Sequence, residues 1–147
     1  MSLLTSDRVL VPIDFSETSL QMLDETIKFF PDSCNIYVLY VLPRLLPMEP
    51  GVIWQTVTDE TRTENVEKIF YQRYPKSLDT PLHFEVKIGD PGSEIIDYAQ
   101  SHNINLIVIA SHGNTGLNRF LLGSVAERVV RFAKCPVLVW RSPQKQK

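Results

Sequence analysis

Residues 105–140 read NLIVIASHGNTGLNRFLLGSVAERVVRFAKCPVLVW, which is a strand, a long loop, a helix and a second strand in succession. The two strand segments, Asn105–Ala110 and Pro136–Trp140, are short, rich in Val, Ile and Leu, and apolar on both faces. Such runs are typical of parallel strands that helices cover on both sides. The helix is predicted to begin at Ser124. Its predicted inward face consists of Val125, Ala126, Val129, Val130, Phe132 and Ala133.

The same alternation of strands and helices extends back toward residue 1. Further strands are predicted at Arg8–Ile13, Asn35–Leu42 and His83–Ile88, the last of which alternates in polarity as an edge strand does. Helical patterns follow Ser16 and Asp90, and a further one runs from about Asp59 to Tyr74. This order predicts an α/β fold, a doubly wound five-stranded parallel sheet in the order 3-2-1-4-5 with helices on both faces. We expect residues 1–147 to form a single domain.

Composition and charge exclude several classes of protein. Fifteen Lys and Arg against seventeen Asp and Glu give a net charge of −2, so the chain lacks the basic excess typical of nucleic-acid binding. The two cysteines, Cys34 and Cys135, are far apart in the predicted sheet and predict neither a zinc cluster nor a disulfide. No apolar run reaches the ~18 residues of a membrane span, and the first residues do not resemble a secretory signal. We therefore expect a cytoplasmic protein with no membrane segment.

The predicted strand order places a ligand crevice between the first and fourth strands, where neighbouring connections diverge. The connection 110–124 is far longer than the ~2–6 residues usual after a strand. It also holds three of the six glycines in the chain. Glycine-rich backbone that opens onto a helix N-terminus suits an anion, because amides approach the ligand closely and the helix dipole is positive there. The connection has no Walker lysine and no GxGxxG motif, and the cationic groups it offers are His112 and Arg119.

Three segments carry a resemblance to a known family, namely VLVPIDFSE (9–17), YVLYVLP (37–43) and residues 105–140. With these segments the chain resembles the universal stress protein family over its whole length. The nucleotide-binding members of that family carry the motif G-2x-G-9x-G-[ST]. Here Gly113 and Gly123 enclose nine residues and Ser124 follows them. Ala110 stands where the first glycine of the motif is expected.

The resemblance implies ATP in the crevice, accompanied by Mg or Mn that phosphate oxygens largely hold. Asp14 would accept a hydrogen bond from the adenine amino group. The residues that would line the base are Pro12, Ile13 and Val41. The residues beside the ribose and phosphates would be Ala110 and His112, and those in backbone or hydroxyl contact with the phosphates would be Gly113, Gly123, Ser124 and Val125. The resemblance also implies a homodimer through the strand Pro136–Trp140, a hydrophobic strand at the predicted sheet edge.

Several of these features also have ordinary structural explanations. Ser124 and Glu127 form the pattern S-x-x-E, which predicts a capping box at the start of the last helix. Asp14 could serve only as a cap or first-turn acid of the first helix. The apolar connection Pro43–Val57 is interpreted as a lid, an oligomer contact or a flap packed on its own domain.

Three functions stay open on the sequence alone. The family expectation is a regulatory protein whose bound ATP changes a surface that an unidentified protein partner reads. A nucleotide-free dimeric adaptor is the second, and Ala110 favours it. The third is a weak ATP hydrolase, although the sequence offers neither a general-base carboxylate pair nor a Ser/His/Asp arrangement, so we expect a protein that is not an enzyme.

Overall fold

The computed structural model describes residues 7–45, 58–76, 82–112 and 122–142, in which strands and helices alternate. The strands are β1 (Arg8–Ile13), β2 (Asn35–Leu42), β3 (Leu82–Ile88), β4 (Leu106–Ala110) and β5 (Val137–Trp140). The helices are α1 (Glu17–Phe29), α2 (Asp59–Arg73), α3 (Pro91–Ser101) and α4 (Ser124–Phe132). All neighbouring strands pair in parallel, and the sheet runs β3-β2-β1-β4-β5. The predicted strand order and the edge position of β3 are therefore confirmed.

Apolar layers cover both faces of the sheet, as a doubly wound fold requires. On one face, Met22 of α1 and Phe70 of α2 join a core cluster with Val9 and Val11 of β1. The other face carries α3 and α4, whose cluster includes Leu10. Val9, Leu10 and Val11 have no exposed surface, since successive side chains point into opposite layers. This double burial explains why β1 is apolar at every position from Val9 to Ile13 rather than at every second one.

The helix α4 buries only part of the face that its sequence predicts. Ala126 and Val129 are buried, but Val130 and Phe132 are 45% and 57% exposed, so the prediction that both face inward is wrong. The physical reason is that α4 lies over the end of the sheet, where β5 is the last strand. Leu138 of β5 is also 44% exposed. Exposed apolar side chains therefore occur on both elements that form this edge.

Two sequence-based expectations, on disulfide bonds and on membrane-spanning segments, can be compared with the described residues. The thiols of Cys34 and Cys135 are both free. Burial raises the pKa of each thiol, which disfavours the reactive thiolate. Among the described helices, none is long and apolar enough to cross a membrane.

Candidate functional site

A cavity of about 590 Å³ opens at the carboxyl ends of β1 and β4, at the point where the strand order reverses. Its volume lies in the range of ~300–1,000 Å³ that is usual for small-molecule sites. The lining combines strand ends with the first residues of α3 and α4. The cavity is therefore bounded by elements that are far apart in sequence but adjacent in the sheet.

The structure brings the described candidate residues together in this one lining. From β1 and β2 come Pro12, Ile13, Asp14 and Val41. From β4 and the start of α4 come Ala110, His112, Gly123, Ser124 and Val125. Gly113 lies outside the described residues, as do Arg119 and the part of the connection Pro43–Val57 that follows Leu45.

Sequence reasoning missed several residues of the lining. Leu39 lies two positions before Val41 on β2, so the period of a strand places both on the same face. Pro91 and Ile95 come from the first turns of α3, which covers that face of the sheet. Pro43 lies at the mouth, where its carbonyl oxygen accepts a 2.8 Å hydrogen bond from Nη2 of Arg62 on α2. The strand period could have identified Leu39, but the α3 contacts depend on how that helix packs.

The carboxylate of Asp14 is held by a turn at the end of β1. Its Oδ1 accepts a 3.0 Å hydrogen bond from the backbone N–H of Ser16 and a second from the Ser16 hydroxyl. Ser16 is the N-cap of α1, as its position predicted, because its side chain accepts from the N–H of Ser19. Asp14 is therefore not the cap of α1, and its side chain lines the cavity instead.

Phe15, between these two residues, has a φ of +61°, which is rare for a side chain of this size. Its ring packs edge-on against Tyr40 with a centroid separation of 4.9 Å. The turn and the aromatic contact together stabilise a backbone conformation that an isolated phenylalanine avoids. The chain consequently bends sharply at the carboxyl end of β1 and turns Asp14 into the lining.

The helix α4 begins at Ser124, as predicted, but its cap differs from the predicted one. The N-cap is Gly123, without a side-chain hydrogen bond, and Ser124 is the first residue of the helix. The predicted capping box between Ser124 and Glu127 is therefore wrong, since Glu127 pairs with Arg131 one turn further along. The first helical hydrogen bond runs from the N–H of Glu127 to the carbonyl of Gly123, at 2.9 Å. The amides that precede Glu127 in α4 are thus left without a bond of this ladder.

The other described helices begin differently. Each has an N-cap side chain that accepts a hydrogen bond from its own first turn: Ser16 for α1, Thr58 for α2 and Asp90 for α3. Among the described helices, only α4 lacks such a cap, and its first residues line the cavity. The positive end of its dipole is consequently available to an anion in the cavity.

Ala110 fits its backbone without strain. It is the last residue of β4 and lies opposite Trp140 of β5 in the parallel ladder. Among the described residues, positive φ occurs at Phe15, Asn103 and Gly89, so Ala110 does not occupy a conformation that requires glycine. Its methyl group is simply part of the cavity wall.

The ionisable groups in the described lining are few. Asp14 is its carboxylate and His112 its imidazole, whose Nδ1 lies 3.2 Å from Oγ of Ser111. Within the described residues, no group of three or more His, Cys, Asp or Glu side chains could hold a metal ion.

Comparisons with known proteins point to one family. A sequence model of the universal stress protein family matches residues 5–141. Universal stress protein MJ0531 of Methanocaldococcus jannaschii is 34% identical over 145 residues, which cover 95% of this chain and 84% of that protein. The structure of MJ0577, a protein of the same organism, aligns with this one at a TM-score of 0.73 and 26% identity. The aligned region covers 95% of this chain and 99% of the MJ0577 chain.

A further structure shares the fold. It is a universal stress protein in complex with cAMP, with a TM-score of 0.65 at 19% identity, and it covers 93% of this chain and 98% of its own.

Proposed function

Since the chain belongs to the universal stress protein family, we propose that it is a cytoplasmic regulatory protein that binds ATP in the cavity between β1 and β4. The observation that carries the proposal is the meeting of two features in one lining. One is the carboxylate of Asp14, and the other is the start of α4, which has no side-chain cap. A ligand with a hydrogen-bond donor at one end and negative charge at the other satisfies both.

The lining near Asp14 suits a flat nucleobase. Pro12, Ile13 and Val41 offer apolar surface, and burial of a base against them is favourable. Asp14 can accept a hydrogen bond from the exocyclic amino group of adenine. This end of the cavity would therefore give affinity through apolar contact and orientation through one polar group.

The start of α4 suits the phosphates. Gly123, Ser124 and Val125 lie in the lining, and the amides of the first helical turn are donors without partners in the helix ladder. The Ser124 hydroxyl, which does not cap the helix, is exposed beside them. Gly113 would extend this cradle from the other end of the connection.

The residues fit a nucleotide better than a free metal ion. Mg²⁺ or Mn²⁺ would be held by phosphate oxygens and water, since the described residues provide no metal-binding cluster of their own. The nucleotide would supply negative charge and acceptor oxygens at the end of the cavity where this chain offers N–H donors. A nucleotide-free adaptor would make no use of these groups.

Regulation fits the site better than hydrolysis does. A hydrolase needs a group that activates water, yet Oδ1 of Asp14 is already bonded to Ser16. The described lining contains no second carboxylate to work with it. We propose that bound ATP changes the surface around the start of α4, and that a protein partner recognises the changed surface.

We also propose that the chain forms a homodimer through β5. This strand lies at the end of the sheet, so its outer backbone groups are free to pair with a second copy. Leu138 on β5 and Val130 and Phe132 on α4 leave apolar surface exposed at the same edge. Pairing there would bury surface that the monomer leaves in contact with water.

Thermal unfolding in the presence of ATP and Mg²⁺ tests the proposed function. Binding should raise Tm as the nucleotide concentration increases, and ligand at about 100 times Kd adds about 2.7 kcal/mol to stability. Ala110→Leu should abolish the increase by filling the cavity from β4, whereas Val130→Leu, on the exposed side of α4, should leave it unchanged. Absence of any shift for the unaltered chain at millimolar ATP would contradict nucleotide binding. A phosphate-release assay on the same samples would separate regulation from hydrolysis.

A further inference from the structure

A closed ring of hydrogen bonds joins Asp14, Ser16 and Ser19 where β1 leads into α1, and it includes the carboxylate of Asp14. The Ser16 hydroxyl donates to Oδ1 of Asp14 at 2.5 Å and accepts from the N–H of Ser19 at 3.1 Å. The Ser19 hydroxyl donates to the carbonyl of Ser16 at 3.1 Å and accepts from the N–H of Asp14 at 3.3 Å. Each hydroxyl therefore uses its one proton and accepts one bond within the ring.

The direction of these bonds fixes the role of Oδ1 of Asp14. The Ser16 hydroxyl donates its one proton to Oδ1, while its oxygen accepts from the N–H of Ser19. Oδ1 accepts a second hydrogen bond, since the N–H of Ser16 also donates to it at 3.0 Å. A carboxylate whose Oδ1 accepts two hydrogen bonds is held in one orientation.

The remaining carboxylate oxygen is the one available to a ligand. Oδ2 of Asp14 accepts no hydrogen bond from any residue in the described ranges, and the residue lines the cavity. Ser19 lines the cavity too, although only 2% of its surface is exposed. A carboxylate oxygen can accept a hydrogen bond from an amino group but repels a carbonyl oxygen placed at the same point.

We infer that Ser16 and Ser19 are positioning residues that fix Asp14 as an acceptor, so that the cavity selects a 6-amino purine over a 6-oxo purine. This inference rests on the proposed function, because it assigns the base end of the nucleotide to Asp14. Neither serine needs to contact the base. Their effect would be transmitted through the orientation of one carboxylate.

The ratio of the dissociation constants of ATP and ITP measures this selectivity, since the two nucleotides differ at the 6-position of the purine. The unaltered chain should bind ATP more tightly by about ten-fold or more, as expected for a hydrogen bond to a charged group. Ser16→Ala and Ser19→Ala should each reduce this ratio at least about three-fold, because a freed carboxylate can rotate or move away from the base. Ser16→Thr, which keeps the hydroxyl, should restore it.

A matched control separates selectivity from stability. Thr58 caps α2 with the same type of bond and lies outside the described lining of the cavity, so Thr58→Ala should lower Tm without changing the ATP to ITP ratio. An unchanged ratio in both alanine variants that still bind ATP would overturn the inference and leave the proposed function intact. Failure of the unaltered chain to bind either nucleotide would contradict the proposed function and the inference together.

Discussion

The backbone N–H of Gly123 donates a 2.7 Å hydrogen bond to the carbonyl oxygen of Ser111. Ser111 directly follows β4 and Gly123 directly precedes α4, so this bond joins the two ends of the connection between them. The N–H of Ser111 in turn donates to the carbonyl of Trp140 on β5, at 2.9 Å. The start of α4 is therefore held against the ends of two strands by backbone hydrogen bonds.

Replacement of Gly123 by proline should remove this bond selectively. Proline fits the φ of −61° at Gly123 but has no N–H to donate to Ser111. We expect Gly123→Pro to lower the free energy of unfolding by about 1 kcal/mol relative to Gly123→Ala, which keeps the N–H. Urea denaturation of the two variants measures the difference in their free energies of unfolding. Both variants carry an added Cβ, so the effect of this atom on packing is the same in each. Equal stabilities would show that the bond does not hold the connection together.

Introduction of the missing motif glycine should weaken the fold rather than improve the site. Ala110 lies in β4 without a positive φ, so glycine there relieves no strain and increases the entropy of the unfolded chain. We expect Ala110→Gly to lower the free energy of unfolding by about 0.5–1 kcal/mol, and to change the Kd for ATP by less than about three-fold. Calorimetric titration together with urea denaturation checks both values. A gain of ten-fold or more in ATP affinity would mean that the methyl group crowds the nucleotide.

The fold could be predicted because its strongest sequence signal, the run of apolar residues in each inner strand, does not depend on how individual side chains pack. The strand Arg8–Ile13 is apolar at every position after Arg8, and only a sheet covered on both faces buries both sides of such a strand. The described candidate site residues come together for the same reason, since parallel strands bring their carboxyl ends to one edge. Whether those residues bind a nucleotide is a separate question that strand order does not answer.

The errors came from features that depend on packing or on one backbone angle. The pattern Ser124-x-x-Glu127 fits a capping box, but the N-cap is Gly123 rather than Ser124, and Glu127 pairs with Arg131. Val130 has the spacing of an inward residue, yet the sheet ends at β5 and leaves it exposed. The left-handed conformation of Phe15 has no local signal, because it depends on the Tyr40 contact and the Asp14 turn.

A charge on β5 should separate the proposed dimer. Leu138 is 44% exposed on the edge strand, and a lysine there would be buried without a partner if β5 strands of two copies pair. We expect Leu138→Lys to weaken self-association at least about ten-fold in sedimentation equilibrium. Phe29→Lys is the matched control, since Phe29 is 80% exposed at the end of α1, away from β5. A similar loss in both variants, or a monomeric unaltered chain, would contradict pairing through β5.

The hydroxyl of Tyr74 should stabilise the contact between α1 and α2 in a pH-dependent manner. It donates a 2.6 Å hydrogen bond to Oδ1 of Asp24, whose Oδ2 accepts from Arg73 at 3.1 Å. Burial, reinforced by the bond to Asp24, raises the pKa of Tyr74 from 10.0 to about 12. The folded chain therefore keeps this proton at a pH where the unfolded chain has lost it. The resulting stability is fully present below about pH 10 and is lost as the pH rises toward 12.

Tyr74→Phe isolates this contribution. At neutral pH we expect the variant to be less stable by about 1 kcal/mol, because the Asp24 carboxylate loses a donor. Above about pH 10 the difference from the unaltered chain should narrow, since phenylalanine has no proton to lose, and urea denaturation at several pH values measures it. Tyr71→Phe is the matched control. Tyr71 and Tyr74 both pack against the ring of Phe70, but the hydrogen bond to Asp24 comes from the Tyr74 hydroxyl, so Tyr71→Phe should lack this pH-dependent effect. A difference for Tyr74→Phe that stays constant up to about pH 12 would mean that its raised pKa does not contribute to stability.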